Sequence, residues 1–198
     1  MGLPLEGLAM LALAGAVVYM AMDARYGAGL TWVRSTIDGH TYQVQDRPDA
    51  QAAADLLARI RERLDRLRRH LEKMAPKDPR TARIVGHFHS DRISEAPENE
   101  PEGTTSYSIN KGEKIVFCLR RRGGPDAGKL EDINMMMFVA IHELAHIATE
   151  EVGHTPLFWE NMAWLLEEAI NTGVYTKQDF KTQPQKYCGV EVTSSPLD

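Results

Sequence analysis

Two histidines four residues apart, with a glutamate directly after the first, stand in the run His142-Glu143-Leu144-Ala145-His146. On a helix, side chains at i and i+4 lie one above the other, so His142 and His146 can share one metal ion. Glu143 is turned about 100° away around the helix axis, which suits a general base acting on a metal-activated water and not a third ligand. The pattern is HExxH, the signature of zinc peptidases.

Such a pair needs a helix to hold it. Ile133 to Ile141 (INMMMFVAI) is apolar nearly all round, as in a helix buried in a core, with Asp132 as a candidate N-cap and Glu131 adding negative charge at the same end. Polar side chains entering such a helix must be satisfied, because burying them unpaired costs several kcal/mol. A zinc site of this kind takes three protein ligands and keeps a fourth position for water. The helix is expected to continue through Ile147 to Val152 and to stop at Gly153. His154 follows, and Thr155 and Pro156 begin another helix running to about Asn171, before Gly173. His154 in that corner is the candidate third ligand, preferred over Glu167 or Glu168 of the following helix. The bland alternative is a helix with surface histidines, which the apolar surroundings disfavour.

The segment HELAHIATEEVGHTPLFWENM, residues 142–162, resembles the WLM and SprT-like zinc metallopeptidases, in which HExxH is followed by a further His and an aromatic pair. Within that group it looks closest to small metallopeptidase-like proteins of large DNA viruses and protists. The similarity extends to Thr105–Gly112, Phe117–Arg120 and Tyr187–Gly189, and covers most of residues 40–195. It implies that His142, His146 and His154 bind Zn2+ and that Glu143 is the general base. It further implies an α+β, zincin-like domain with a small antiparallel sheet packed on the HExxH helix. Better-known relatives cleave DNA-protein crosslinks, but a net charge of −5 and the lack of a recognisable DNA-binding module argue against a nucleic-acid partner here.

Thr105 to Ile109 and Lys114 to Leu119 flank Asn110-Lys111-Gly112-Glu113 and predict a β-hairpin, a candidate edge for an extended substrate chain. Tyr107 and Tyr187 are candidate oxyanion partners. Arg120 to Lys129 reads as a flexible basic loop. Residues 49–74 carry Leu57, Ile60, Leu64, Leu67 and Leu71 three and four apart, so an amphipathic helix is expected there, ended by Pro76 and Pro79. Thr81 to Ile93 reads as a strand, with His87 and His89 on one side and more simply solvent-facing than a second metal site. Residues 94–103 read as an acidic, Pro-rich linker, and a short strand is expected at Thr41 to Val44.

At 198 residues and 43% hydrophobic, the chain suffices for one compact domain with extensions. Cys118 and Cys188 are too few for a disulfide framework and fit a reducing compartment, with ordinary packing favoured over pairing. Leu8 to Met22 carries no charge and suggests a transmembrane anchor over residues 1–26. Arg25 and Arg34 after it place the following domain on the cytoplasmic side, although its many Ala and Gly residues contribute little to insertion. Residues 27–48 then form a juxtamembrane connector and 49–198 the metallopeptidase domain. The reading is a membrane-anchored, single-pass zinc metalloendopeptidase acting on a protein or peptide substrate. The alternatives are a membrane-tethered structural-zinc adaptor without turnover and a DNA-protein crosslink protease.

Overall fold

The computed structural model describes residues 29–101 and 103–198. Strands β1 (Leu30–Arg34) and β2 (Thr41–Gln45) form an antiparallel hairpin in which Leu30 faces Gln45 and Arg34 faces Thr41. Alternation along β2 turns Tyr42 and Val44 into the core. Helix α1 (Ala50–Met74) follows, with Leu57, Ile60, Leu64, Leu67 and Leu71 all buried, as their spacing predicts. Its other face carries ion pairs such as Arg66–Glu62 and Arg68–Glu72.

The stretch read as a strand is instead a helix, α2 (Pro79–His87). Asp78 accepts a hydrogen bond from the Arg80 N–H at 2.8 Å, and Pro79 presets the first helical turn, so the Asp-Pro pair starts a helix where the β-branched residues suggested a strand. Thr81 and Ile84, three apart, are the buried pair. His87 in the last turn and His89 beyond it are exposed, and neither belongs to a group of potential metal ligands among the described residues.

Strands β3 (Ile93–Glu95), β4 (Tyr107–Ile109) and β5 (Lys114–Phe117) make a sheet of order β3-β5-β4. The hairpin β4–β5 is antiparallel, as expected, but β3 runs parallel to β5, so the sheet is mixed and not antiparallel. The long connection between β3 and β4 allows this, because it lets the chain place β4 and β3 on opposite sides of β5. What reads as linker is also partly core: Glu95 is completely buried, accepting from the Gln45 N–H and the Arg120 guanidinium, each at 2.7 Å.

Helix α3 (Ile133–Ala148) occupies the centre, packed against α1, α2, β4 and the last long helix, α4 (Pro156–Asn171). The chain closes with the hairpin β6 (Gln185–Tyr187) and β7 (Val190–Val192). A disulfide joins Cys118, just after β5, to Cys188 in the β6–β7 turn, correcting the expectation of two merely packed thiols. The pairing requires the segment after β5 and the β6–β7 turn to lie side by side, a proximity that a sequence separation of 70 residues does not disclose.

The single-pass membrane reading is corrected as well. No helix among the described residues is long and apolar enough to cross a membrane: α3 and α4 have 16 residues each, short of the roughly 20 a span needs, and α1 carries a charged face. The segment expected to be an anchor, residues 1–26, lies outside the described residues.

Candidate metal centre

The helix bearing HExxH is well capped. Asp132 accepts from the N–H groups of Asn134 and Met135 at 2.9 and 3.0 Å, the arrangement its position predicts. The helix ends at Ala148, earlier than its sequence suggests. There Thr149 turns extended, donates its hydroxyl to the Ala145 carbonyl at 2.7 Å, and accepts from the Asn161 amide at 2.9 Å. A short loop then reaches Gly153, whose φ of +88° is accessible at low cost only without a Cβ, and delivers His154. Thr155 caps α4 by accepting from the Phe158 N–H, with Pro156 in the first turn.

These elements bring His142, His146 and His154 together. One nitrogen from each lies within 4.8 Å of the others, and the Nε2 atoms of His142 and His154 are 3.0 Å apart. Phe158 is the floor beneath all three, its centroid 4.9, 4.4 and 4.8 Å from the rings of His142, His146 and His154. Trp159 stacks on His154 at 5.4 Å. Burial, with the neighbouring imidazoles adding to it, lowers His142 to about 3, and burial lowers His146 to about 4. Both rings are therefore neutral at pH 7, as metal ligation requires.

Glu143 is 4% exposed. Burial raises its carboxyl to about 7, against a hydrogen bond donated by the Ser108 N–H of β4. Glu143, the three histidines, Tyr107, Ser108 and the β4–β5 turn line one cleft. The structure thus puts His142, Glu143, His146 and His154 in one place.

The remaining candidates are sorted by their partners. Glu168 bonds His70 at 2.6 Å and Glu167 is exposed, so neither joins the histidine group. Tyr107 lines the cleft and donates its hydroxyl to Glu100 at 2.9 Å. Tyr187 does not line it: its buried hydroxyl pairs with Ser106 Oγ at 2.5 Å, and Ser106 in turn accepts from the Cys118 N–H. Ser108 and Lys111 were missed as individuals. Ser108 acts through its backbone, which has no side-chain signature, whereas Lys111 sits among turn residues that usually mean only a turn.

Comparison with known proteins agrees in part with the kinship expected from the motif. An uncharacterized protein of Acanthamoeba polyphaga mimivirus is 34% identical over 174 residues, 84% of this chain and 84% of the viral protein. The chain belongs to the family of that protein. Uncharacterized proteins of Invertebrate iridescent viruses 6 and 3 match over 87 and 89 residues at 36% and 35% identity, covering 47% and 52% of their lengths. No protein-family model and no solved structure matches the chain. The fold is the α+β arrangement with a mixed sheet described above, and not the zincin-like domain with an antiparallel sheet that the motif led one to expect. The kinship rests on sequence, and these relatives' names assign no chemistry.

Proposed function

We propose that the protein is a zinc-dependent peptidase with chemistry of the WLM and SprT-like kind. The observation that carries this reading is the convergence of three histidine nitrogens within 4.8 Å of one another beside the buried carboxyl of Glu143.

The residues fit the ion. Nitrogens about 2.0–2.1 Å from one tetrahedral zinc stand roughly 3.3 Å from each other, close to the spacing of His142 and His154. Three neutral imidazoles with no carboxylate among them are also the donor set of a catalytic zinc with one position left for solvent. When bound, zinc would lower the pKa of a coordinated water from about 15.7 towards 7 and polarise the carbonyl to be cleaved.

Glu143 accepts the proton of the attacking water and delivers it to the leaving amine. Its burial suits this: a carboxyl held near neutrality can take up a proton and release it again at physiological pH. The Ser108 N–H holds the carboxylate from the side of β4. Because β4 is an outer strand of its sheet and lines the cleft, it offers backbone groups to which an extended peptide can add as a further strand. That edge supports a peptide substrate over a small molecule.

The test is zinc quantification with proteome-wide cleavage profiling of the full chain, wild type against Glu143→Gln. The variant should keep its zinc and lose roughly 10²–10⁴-fold in cleavage rate, the usual contribution of a general base. Wild-type cleavage by Glu143→Gln would remove the base, and no zinc uptake by the wild type would remove the centre.

A further inference from the structure

The β4–β5 turn touches the metal helix at the point where the chain leaves it for His154. Asn110 and Lys111 both have positive φ, 46° and 55°, as the central residues of a β-turn closed by the Gly112 N–H on the Ile109 carbonyl, within the four-residue connection from β4 to β5. Asn and Gly are the ordinary occupants of such positions, and lysine in a left-handed conformation is unusual. Gly112, next in the turn, is pressed against the helices: a Cβ there would stand 2.7 Å from the His87 carbonyl oxygen and 2.8 Å from Ile147 Cδ1. The turn is therefore wedged in place, and the left-handed backbone sends the Lys111 side chain to the end of α3.

There its ammonium meets a row of carbonyls. Lys111 Nζ lies 3.3 Å from the His146 oxygen, 2.7 Å from Thr149, 3.2 Å from Glu150 and 2.7 Å from Glu151. The first belongs to a candidate ligand, and the others run along the loop that ends at His154. The last carbonyls of a helix have no partner within it and carry the negative end of its dipole, so a cation is the group suited to gather them. Arg83 holds the same loop from another side, bonding the Ala148 carbonyl at 3.5 Å and pairing with Glu150.

The geometry points to Lys111 as a positioning residue of the metal centre: its ammonium fixes residues 149–151, and so brings His154 from the loop onto His142 and His146. This rests on the reading of the three histidines as a metal site. Without the clamp, His142 and His146 remain paired by the helix, whereas the third ligand must be ordered at the moment of binding, which weakens affinity. Outer groups that orient ligands typically contribute 10–100-fold.

The experiment is a double-mutant cycle on the full chain, with zinc affinity measured by competition against a chromophoric chelator. Lys111→Asn is the first variant, because Asn tolerates the left-handed turn but is too short to reach the carbonyls; Lys111→Gly is the second, should the first fail to fold. Each should weaken zinc binding about tenfold or more while the chelated protein still unfolds cooperatively, with a thermal midpoint lowered by a few degrees at most. In a His154→Ala background, the Lys111 substitution should have no further effect, since the ligand it positions is gone. Wild-type affinity in both Lys111 variants overturns the proposal, as does an equal loss with and without His154. Failure of the metal reading shows differently: wild type itself takes up no zinc, or His154→Ala binds as well as wild type, and the proposal falls with it.

Discussion

The histidine cluster and Glu143 place ionisable groups where water is scarce. His142 and His146 are lowered to about 3 and 4 from an ordinary 6.5, and Glu143 is raised to about 7 from 4.5. Each shift disfavours the charged form, and each makes stability depend on pH. Between about pH 3 and 6.5 the unfolded chain binds protons on these histidines that the folded chain refuses, so their contribution is lost as pH falls. Between 4.5 and 7 the folded chain holds a proton on Glu143 that the unfolded chain releases, so its contribution is lost as pH rises. The chelated protein should therefore lose stability on acidification below pH 6.5, gently while Glu143 opposes the histidines and more steeply below 4.5. Glu143→Gln should make the upper part of that decline steeper. Urea unfolding at a series of pH values measures both, and a flat profile from pH 6.5 to 4 would contradict the burial of the imidazoles.

Helix α3 carries these groups because nearly every other side chain on it is apolar. Met135 to Ile141 fill the space between α1, α2 and α4, which fixes the helix axis and, through it, the direction of His142 and His146. Its N-terminus is held by the Asp132 carboxylate, and its C-terminus by Thr149, Asn161 and Lys111. Asp132→Ala leaves two N–H groups without that acceptor and should cost about 1 kcal/mol. In a chain of this length that is a fall of roughly 2–4 °C in Tm, read by calorimetry. Zinc affinity should be nearly unchanged, because the cap lies at the end of the helix remote from the ligands. A tenfold loss of zinc would mean that the whole helix, and not its last turn and loop, tunes the site.

At the scale of the molecule, one covalent bond ties the C-terminal hairpin to the segment that follows β5. Cys118 follows β5, Cys188 turns β6 into β7, and between them Tyr187 reaches Ser106 just ahead of β4. Closing a loop with a sequence separation of 70 residues lowers the entropy of the unfolded chain by an amount equivalent to about 4 kcal/mol, of which bridges commonly deliver 2–5. Reduction by a dithiol, or Cys118→Ser with Cys188→Ser, should lower unfolding free energy by about 2–4 kcal/mol. Denaturant midpoints of the oxidised and reduced protein check this, and equal midpoints would exclude a stabilising bridge. Another long-range tie is Arg120, buried between Glu95 and Asp49 at 2.7 Å from each. It joins the β3 end of the sheet to the start of α1, and it comes from the run that reads as a flexible basic loop.

What the amino-acid order determined unaided is local. HExxH sets two histidines and a glutamate on one helix because helical geometry alone fixes their relation, and the Gly153-His154-Thr155-Pro156 corner follows from caps and turn chemistry a few residues long. The β4–β5 hairpin and the leucine face of α1 are legible for the same reason. Where local preferences competed the reading failed: β-branched residues suggested a strand at residues 81–93, and the Asp-Pro start of a helix prevailed. Relations between distant segments needed the tertiary structure. The parallel pairing of β3 with β5, the Cys118–Cys188 bridge, Glu95 against Arg120, the Ser108 N–H on Glu143 and Lys111 on the end of α3 all join residues that only packing brings near. No spacing in the chain encodes them, because each depends on which surfaces exclude water together.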